Sequence, residues 1–376
     1  MHRASLLRSA LVHAVVLPTA AGPNLQVYES PYYLIQSDLG REEVREATIR
    51  ITRAAEEYNR RTSAFAGKIN RTLPFLLFAR EEDYLAAGGL PGSAGLYTGD
   101  RLMAFVGATR AAAWRTVQHE GFHQFVDAVI GGDLPVWVNE GLAEYFGEAL
   151  FTGDGMVTGV IPPARLKRIK RGLKRREFLP FERFMTVARE SWNARMSGGD
   201  YDQAWSMVHF LAHGDGGRYD RAFNGFLRMV SQSRPWRLAW TKHFGDDIGA
   251  FEARWREYWL GLPDEPTAER YATAVVSVLT SFLARAVSQG QGFDSLEAFT
   301  LAAGSGLTCP PDDWLPPSLL VDAVKDMPRY GRWTLDREVP DQPQIVCVMN
   351  EGTRLEGQYR IRNGRVAGVS VEVSPP

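Results

Sequence analysis

Apolar residues recur roughly every three to four positions along residues 41–61 and 111–130, so both stretches predict amphipathic helices. In the second, Trp114, Val117, Phe122, Phe125, Val126 and Val129 supply the stripe and Gly131-Gly132 end it. Residues 25–36 and 73–79 carry the denser apolar character of strands, and the short runs 95–98 and 102–106 flank Gly99-Asp100 as a hairpin would. Leu134-Pro135-Val136-Trp137-Val138 then leads into a further helix from about Asn139.

Beyond this point the pattern is helical, with aromatic-rich segments at 181–189, 201–212, 219–231 and 248–260. Pro263-Asp264-Glu265-Pro266 reads as a linker before one more helix, 268–288. Pro310-Pro311 and Pro316-Pro317 punctuate a loop-rich stretch, after which 332–337, 344–349 and 354–373 alternate like strands. Asn363-Gly364 marks a two-residue hairpin turn inside the last of these. The expected class is α+β: a lobe over 22–160, a helical subdomain over 161–290 and a small antiparallel β module over 291–376.

Composition adds bounds. The chain has 376 residues, 45% hydrophobic and 23% charged, enough to bury a sizeable core. A net charge of −1 gives no bulk attraction to nucleic acid or to an anionic membrane. Arg3 and Arg8 precede an apolar stretch ending in Pro18-Thr19-Ala20-Ala21-Gly22, which predicts a signal peptide over 1–21 and a secreted or periplasmic protein; a short tail on a cytoplasmic protein is the competing reading. Elsewhere no stretch is expected to span a membrane. Cys309 and Cys347 fit either a disulfide or two buried thiols, and they lack the spacing of metal ligands.

The chemistry is concentrated in His119-Glu120-Gly121-Phe122-His123. Histidines at i and i+4 leave one face of a helix, so both imidazoles can meet a single zinc ion while the Glu between them faces a water beside it. Such an ion lowers the pKa of water to about 7, and Glu120 is placed to take the proton and pass it on. Glu140, on the next helix, is the expected third ligand, giving a His119, His123, Glu140 centre. Ligating histidines usually donate their second N–H to a carboxylate, and Glu144 and Asp127 are the candidates, Glu144 the better one, since Asp127 reads equally as a solvated charge on the outer helix face.

These residues resemble a family. The string His119-Glu120-x-x-His123 with Asn139-Glu140-Gly141-Leu142-Ala143-Glu144-Tyr145-Phe146 looks like the gluzincin zinc metallopeptidases, which include thermolysin and aminopeptidase N, although the connection before Glu140 is slightly shorter than in aminopeptidases. The resemblance covers about residues 95–146 and the surroundings of Tyr201. It implies a thermolysin-like zincin catalytic domain, zinc as cofactor, Glu140 as third ligand and a peptide or protein substrate. It also implies that Tyr201, ahead of an apolar helix, donates to the developing oxyanion; a tyrosine packing at a helix start is the plainer alternative.

One element of that family is missing. No Gly-x-Met-Glu-Asn segment, which holds a free amino terminus in aminopeptidases, precedes the motif, so cleavage within chains is the favoured expectation. Residues 102–106 are a candidate edge strand for pairing with an extended substrate, or an ordinary hairpin arm. A zinc amidase on cell-wall peptides and a catalytically silent interaction protein are the alternatives.

Two further features have modest claims. Arg165, Lys167, Arg168, Lys170, Arg171, Lys174, Arg175 and Arg176 form a basic run that reads either as a docking patch or, more commonly, as a solvated helix face. His209 and His213 repeat the i, i+4 spacing without a Glu after the first, so a second metal site is not expected.

Overall fold

The molecule, described from a computed structural model, covers residues 24–107, 110–131, 134–195, 197–307, 309–339 and 341–376; the expected signal peptide lies outside these. The first stretch, expected as a single strand, is a hairpin of β1 (Gln26–Glu29) and β2 (Tyr33–Ser37). Pro31 lacks an N–H for a continuing ladder, and Ser30 Oγ accepts the Tyr33 N–H at 2.9 Å to close the turn. Helix α1 (Arg41–Thr62) crosses over, making β2 and β3 (Leu73–Phe78) parallel. After α2 (Glu81–Ala86) come β4 (Gly95–Tyr97) and β5 (Leu102–Phe105), and the sheet runs β1-β2-β3-β5-β4.

This order corrects one expectation. Residues 102–106 are not a free edge, because β5 pairs with β3 on one side and β4 on the other. The Gly99-Asp100 turn folds the earlier strand outward, and Gly99 adopts φ 89° to do so. The edge on this side of the sheet is β4, with β1 at the other.

Helix α3 (Arg110–Phe125) packs on β4, β5 and α1, then widens into a π-helical turn, Val126–Ile130. Gly131, at φ 64°, returns its N–H to Val126 O at 3.0 Å and ends it. Helix α4 (Val136–Gly147) starts directly after Pro135, three positions before the expected Asn139, so Glu140 lies in its second turn. Gln118 ties the two helices together: its amide donates to the carbonyls of Phe146, Gly147 and Ala149 at the C-terminal end of α4.

A short hairpin, β6 (Leu150–Phe151) with β7 (Met156–Val157), leads to the helical part: α5 (Pro163–Arg175), α6 (Phe181–Phe184), α7 (Arg189–Arg195), α8 (Gly198–Gly217), α9 (Asp220–Ser231), α10 (Trp236–Phe244) and α11 (Ile248–Gly261). Residues 181–189 are therefore a single helical turn, α6, followed by non-helical chain as far as α7. These helices share with α3 and α4 one aromatic core that includes Phe122, Trp137, Trp205, Trp240 and Trp259.

Helix α12 (Ala268–Ser288), expected with the helical part, packs instead on the C-terminal module. There it meets α13 (Leu296–Gly304), α14 (Pro317–Asp326) and the antiparallel sheet of β8 (Gly331–Asp336), β9 (Gln344–Met349), β10 (Arg354–Arg362) and β11 (Arg365–Ser374), ordered β11-β10-β9-β8. Contact is close: a Cβ on Gly357 would sit 1.9 Å from Thr280 Oγ1. α12 is long and apolar enough to cross a membrane by length and composition, yet 72% of its apolar window is buried inside the fold. The proline-rich stretch read as loop also holds α14, because Pro316 and Pro317 begin that helix rather than break one. Asn363 (φ 52°) and Gly364 (φ 73°) form the expected turn between β10 and β11. Cys309 and Cys347 are both free thiols against this module's core.

Candidate metal centre

His119 and His123 leave α3 one turn apart, and Glu140 approaches from α4. Their ligand atoms close on a common point: the two Nε2 atoms are 3.1 Å apart, and Glu140 Oε2 is 3.6 Å from His119 Nε2 and 3.4 Å from His123 Nε2. Donors about 2.0–2.2 Å from a tetrahedral ion sit about 3.3–3.6 Å from one another; both Glu140 separations lie in that range and the imidazole pair is slightly closer, so the group could hold a metal ion of zinc's size. Among the described residues this is the His/Cys/Asp/Glu group with metal-holding proximity.

Partners of the other ring nitrogens set the tautomers. His119 Nδ1 donates to Glu144 Oε1 at 3.1 Å, and His123 Nδ1 donates to Asn139 Oδ1 at 3.1 Å. Both Nε2 lone pairs are thereby left for a cation. Glu144 stands where it was expected. Asp127 does not: it is half exposed and accepts from the Tyr97 hydroxyl at 2.7 Å, with Arg71 at 3.9 Å. The α-helical i+4 arithmetic from His123 fails because Asp127 lies in the π-helical turn. Asn139, one residue before the ligand, takes its place.

The site is built to hold positive charge. Burial lowers the His119 pKa, but Glu140 and Glu144 outweigh it and raise it to about 10. Burial works against the ionised Glu140 carboxylate, and His123 and His119 nevertheless keep it below the usual range. Glu144 is likewise brought down to about 2 against burial, by His119 and Arg165.

Arg165 gives the first part of the basic run a different role from either expected one. It is buried, pairs with Glu144, with Glu148 at 3.1 Å and with Asp202 at 2.8 Å, and stacks its guanidinium 5.0 Å from the Trp205 ring centroid. Arg168 binds the same Asp202 at 2.6 Å. A chain of alternating charge thus runs from His119 through Glu144 and Arg165 to α8. Lys167, Lys170, Arg171, Lys174 and Arg175 line an open groove on the outer side of α5.

Glu120 points to the same opening. Its Oε2 accepts the backbone N–H of Tyr97 at 2.9 Å. On either side of β4, Ala94 O accepts the Phe105 N–H and the Thr98 N–H donates to Arg101 O, so by alternation the Tyr97 N–H faces away from the ladder and is free for Glu120. The β4 edge and the carboxylate are joined directly.

Tyr201 reaches the site from the first turn of α8, its ring centroid 6.3 Å from that of His119. Gly141 makes the approach possible, since a Cβ there would lie 2.6 Å from Ala204 O and from Val208 Cγ2. The Trp192 indole N–H donates to the Tyr201 oxygen at 3.2 Å, leaving the hydroxyl proton for another acceptor. Burial, and then the Glu140 carboxylate, raise the Tyr201 pKa, so the hydroxyl stays protonated.

A cavity of about 480 Å³ opens over these groups, between Leu96 and Tyr97 of β4 and Arg189 and Asn193 of α7. Arg189, Asn193, Asn139 and Arg165 were not singled out by sequence as parts of the site. Only Asn139 carried a local signal, its position beside Glu140.

His209 and His213 are held elsewhere. His209 Nε2 lies 3.1 Å from Gly159 O and His213 Nε2 lies 2.8 Å from the Tyr145 hydroxyl, with no carboxylate closing a metal group around them among the described residues.

Comparison with known proteins gives one family match. A family described as a protein of unknown function (DUF1570) matches residues 113–237, a span that contains His119, Glu120, His123, Glu140, Glu144 and Tyr201. No curated protein matches the chain.

Proposed function

We propose that the chain is a zinc-dependent metallopeptidase of gluzincin type, with a thermolysin-like catalytic arrangement, that hydrolyses peptide bonds within chains. The observation that carries the reading is the set of three ligand atoms 3.1–3.6 Å apart, with Glu120 fixed beside their open side by the Tyr97 N–H.

His119, His123 and Glu140 would hold the ion. Zinc bound there supplies Lewis-acid polarisation of a carbonyl and acidification of a water. Glu120 takes a proton from the attacking water and returns it to the leaving amine. Tyr201 donates its hydroxyl to the oxygen that gains charge, an interaction stronger in the transition state than in the ground state. Along the β4 edge, Leu96 and Tyr97 form the wall against which an extended substrate backbone lies. The α7 wall closes the opposite side. Export from the cytoplasm belongs to the same proposal and rests on the amino-terminal pattern alone.

The deciding experiment joins metal analysis to cleavage of a random peptide library by wild type and Glu120→Gln. Stoichiometric zinc, turnover by wild type and loss of turnover in Glu120→Gln are expected. Stoichiometric zinc with no cleavage of any peptide sinks the peptidase reading, and zinc retained by His119→Ala sinks the ligand assignment.

A further inference from the structure

The cavity over the metal centre does not stand alone. A second cavity of about 710 Å³ shares Leu134 and Arg189 with it, so the two are neighbours on either side of these residues. The far part has a mixed lining, with Val187 and Trp236 among its apolar side chains and Arg189 and Arg234 among its polar ones. Both arginines are exposed, and neither forms an ion pair among the described residues. Among the described residues that line it, Glu190 is the one carboxylate against the two guanidiniums.

Unpaired guanidiniums beside apolar side chains recognise a carboxylate next to a hydrophobic group, because the planar fork matches both carboxylate oxygens. Among the described residues, Arg189 at the junction is the one arginine or lysine lining the near part, whose other charged groups are the metal ligands, Glu120 and Asp127. Past Leu134 the two guanidiniums are the cations that an acidic side chain meets.

We infer that this far cavity is an extended subsite for the peptide, selecting an acidic residue beside an apolar one on the side of the scissile bond that leaves the metal pocket past Leu134. The inference rests on the peptidase reading for its substrate, while the binding it asserts is measurable without turnover. Arg189 and Arg234 are recognition residues and touch no reacting atom.

The test uses fluorescein-labelled peptides in which an apolar residue is followed by Asp or by Asn, with the pair moved along the sequence. Binding is followed by anisotropy on the zinc-loaded Glu120→Gln protein, alone and combined with each arginine substitution, and cleavage on wild type, Arg189→Ala, Arg234→Ala and Arg189→Glu. The Asp peptide is expected to bind about fivefold or more tightly than its Asn counterpart in one register. Each alanine variant should reduce that preference through KM with kcat little changed, and Arg189→Glu should reverse it toward basic peptides. Cleavage indifferent to Asp against Asn overturns the subsite and leaves the peptidase reading standing. Register-specific binding that the arginine variants abolish, without cleavage of any peptide, upholds the subsite and removes the peptidase. If no peptide binds, the subsite is overturned whatever the enzyme cleaves.

Discussion

The backbone N–H of Tyr97 donates to Glu120 Oε2 at 2.9 Å, so the β4 edge of the sheet fixes the carboxylate that stands beside the metal ligands. This N–H belongs to no ladder, which makes it removable. Tyr97→Pro would delete it without breaking a β4–β5 bond, whereas Tyr97→Phe would delete only the hydroxyl contacts with Asp127 and the Gly99 carbonyl. A hydrogen bond to a charged group contributes about 1.5–3 kcal/mol, so kcat should fall roughly 10- to 100-fold in Tyr97→Pro and little in Tyr97→Phe. Equal losses in the two variants would show that the phenol, not the backbone, positions Glu120.

Glu144 gives a prediction about metal affinity. It joins His119 Nδ1 to buried Arg165, and Gln at this place keeps an acceptor for the imidazole while losing the charge. Zinc affinity of Glu144→Gln, measured by competition with a chelator, should drop about 10- to 100-fold with the fold intact. Arg165→Leu is harsher, because Glu144, Glu148 and Asp202 lose their common partner inside the protein. A stability loss of about 3–5 kcal/mol is expected in denaturant titration. Unchanged chelator competition in Glu144→Gln would mean that the ionic chain ends before the metal.

Gly141 is a packing requirement of the site. Its missing side chain lets α4 lie against the Ala204 carbonyl and Val208 of α8, which brings Tyr201 over His119. Gly141→Ala must push α8 away from backbone that cannot give, at a cost of about 1–3 kcal/mol. Thermal unfolding checks the cost, and the accompanying fall in activity should exceed that of a destabilised variant remote from the site.

Tyr201→Phe separates structure from chemistry. Trp192 already supplies a donor to the Tyr201 oxygen, so the hydroxyl proton is directed elsewhere. If that proton meets the developing oxyanion, its removal should lower kcat about 100- to 1,000-fold while zinc content and thermal stability stay near wild type. A loss confined to KM would assign Tyr201 to substrate binding.

The parts of this site that were legible in sequence are those set by local periodicity. His119 and His123 follow from one helical turn, and Glu144 follows from Glu140 by the same arithmetic on α4. The arithmetic failed at Asp127, where the helix widens; at residues 102–106 the expected hairpin arm is present, and the hairpin puts β4 rather than these residues outermost. Arg165 and Arg189 were illegible for a different reason: their contacts are tertiary, and Arg165 in particular resembles its basic neighbours in every property but burial. Helix α12 shows the same limit, since its periodicity announced a helix and only its packing on β9, β10 and β11 assigned it to the C-terminal module.

His209 makes acid stability a readout of the helical core. It is fully buried among Trp205 and Trp259, hydrogen-bonded to Gly159 O, and burial lowers its pKa from 6.5 to about 4. The unfolded chain therefore binds a proton at this residue that the folded chain refuses between those values. Above pH 6.5 both states leave it neutral and it has no effect; as pH falls toward 4 the unfolded state gains, and stability drops by about 3 kcal/mol from this residue. Below about pH 4 both states are protonated and the difference stops growing. His209→Gln keeps a donor for Gly159 O and cannot titrate, so urea midpoints for wild type and variant, both with chelator present to equalise the metal site, should converge on acidification. The variant should be the less stable at pH 7.5 through lost packing and the smaller loser between pH 6.5 and 4. Parallel curves across that interval would mean that His209 is protonated in the folded state, and that the helical core admits a charge at its centre.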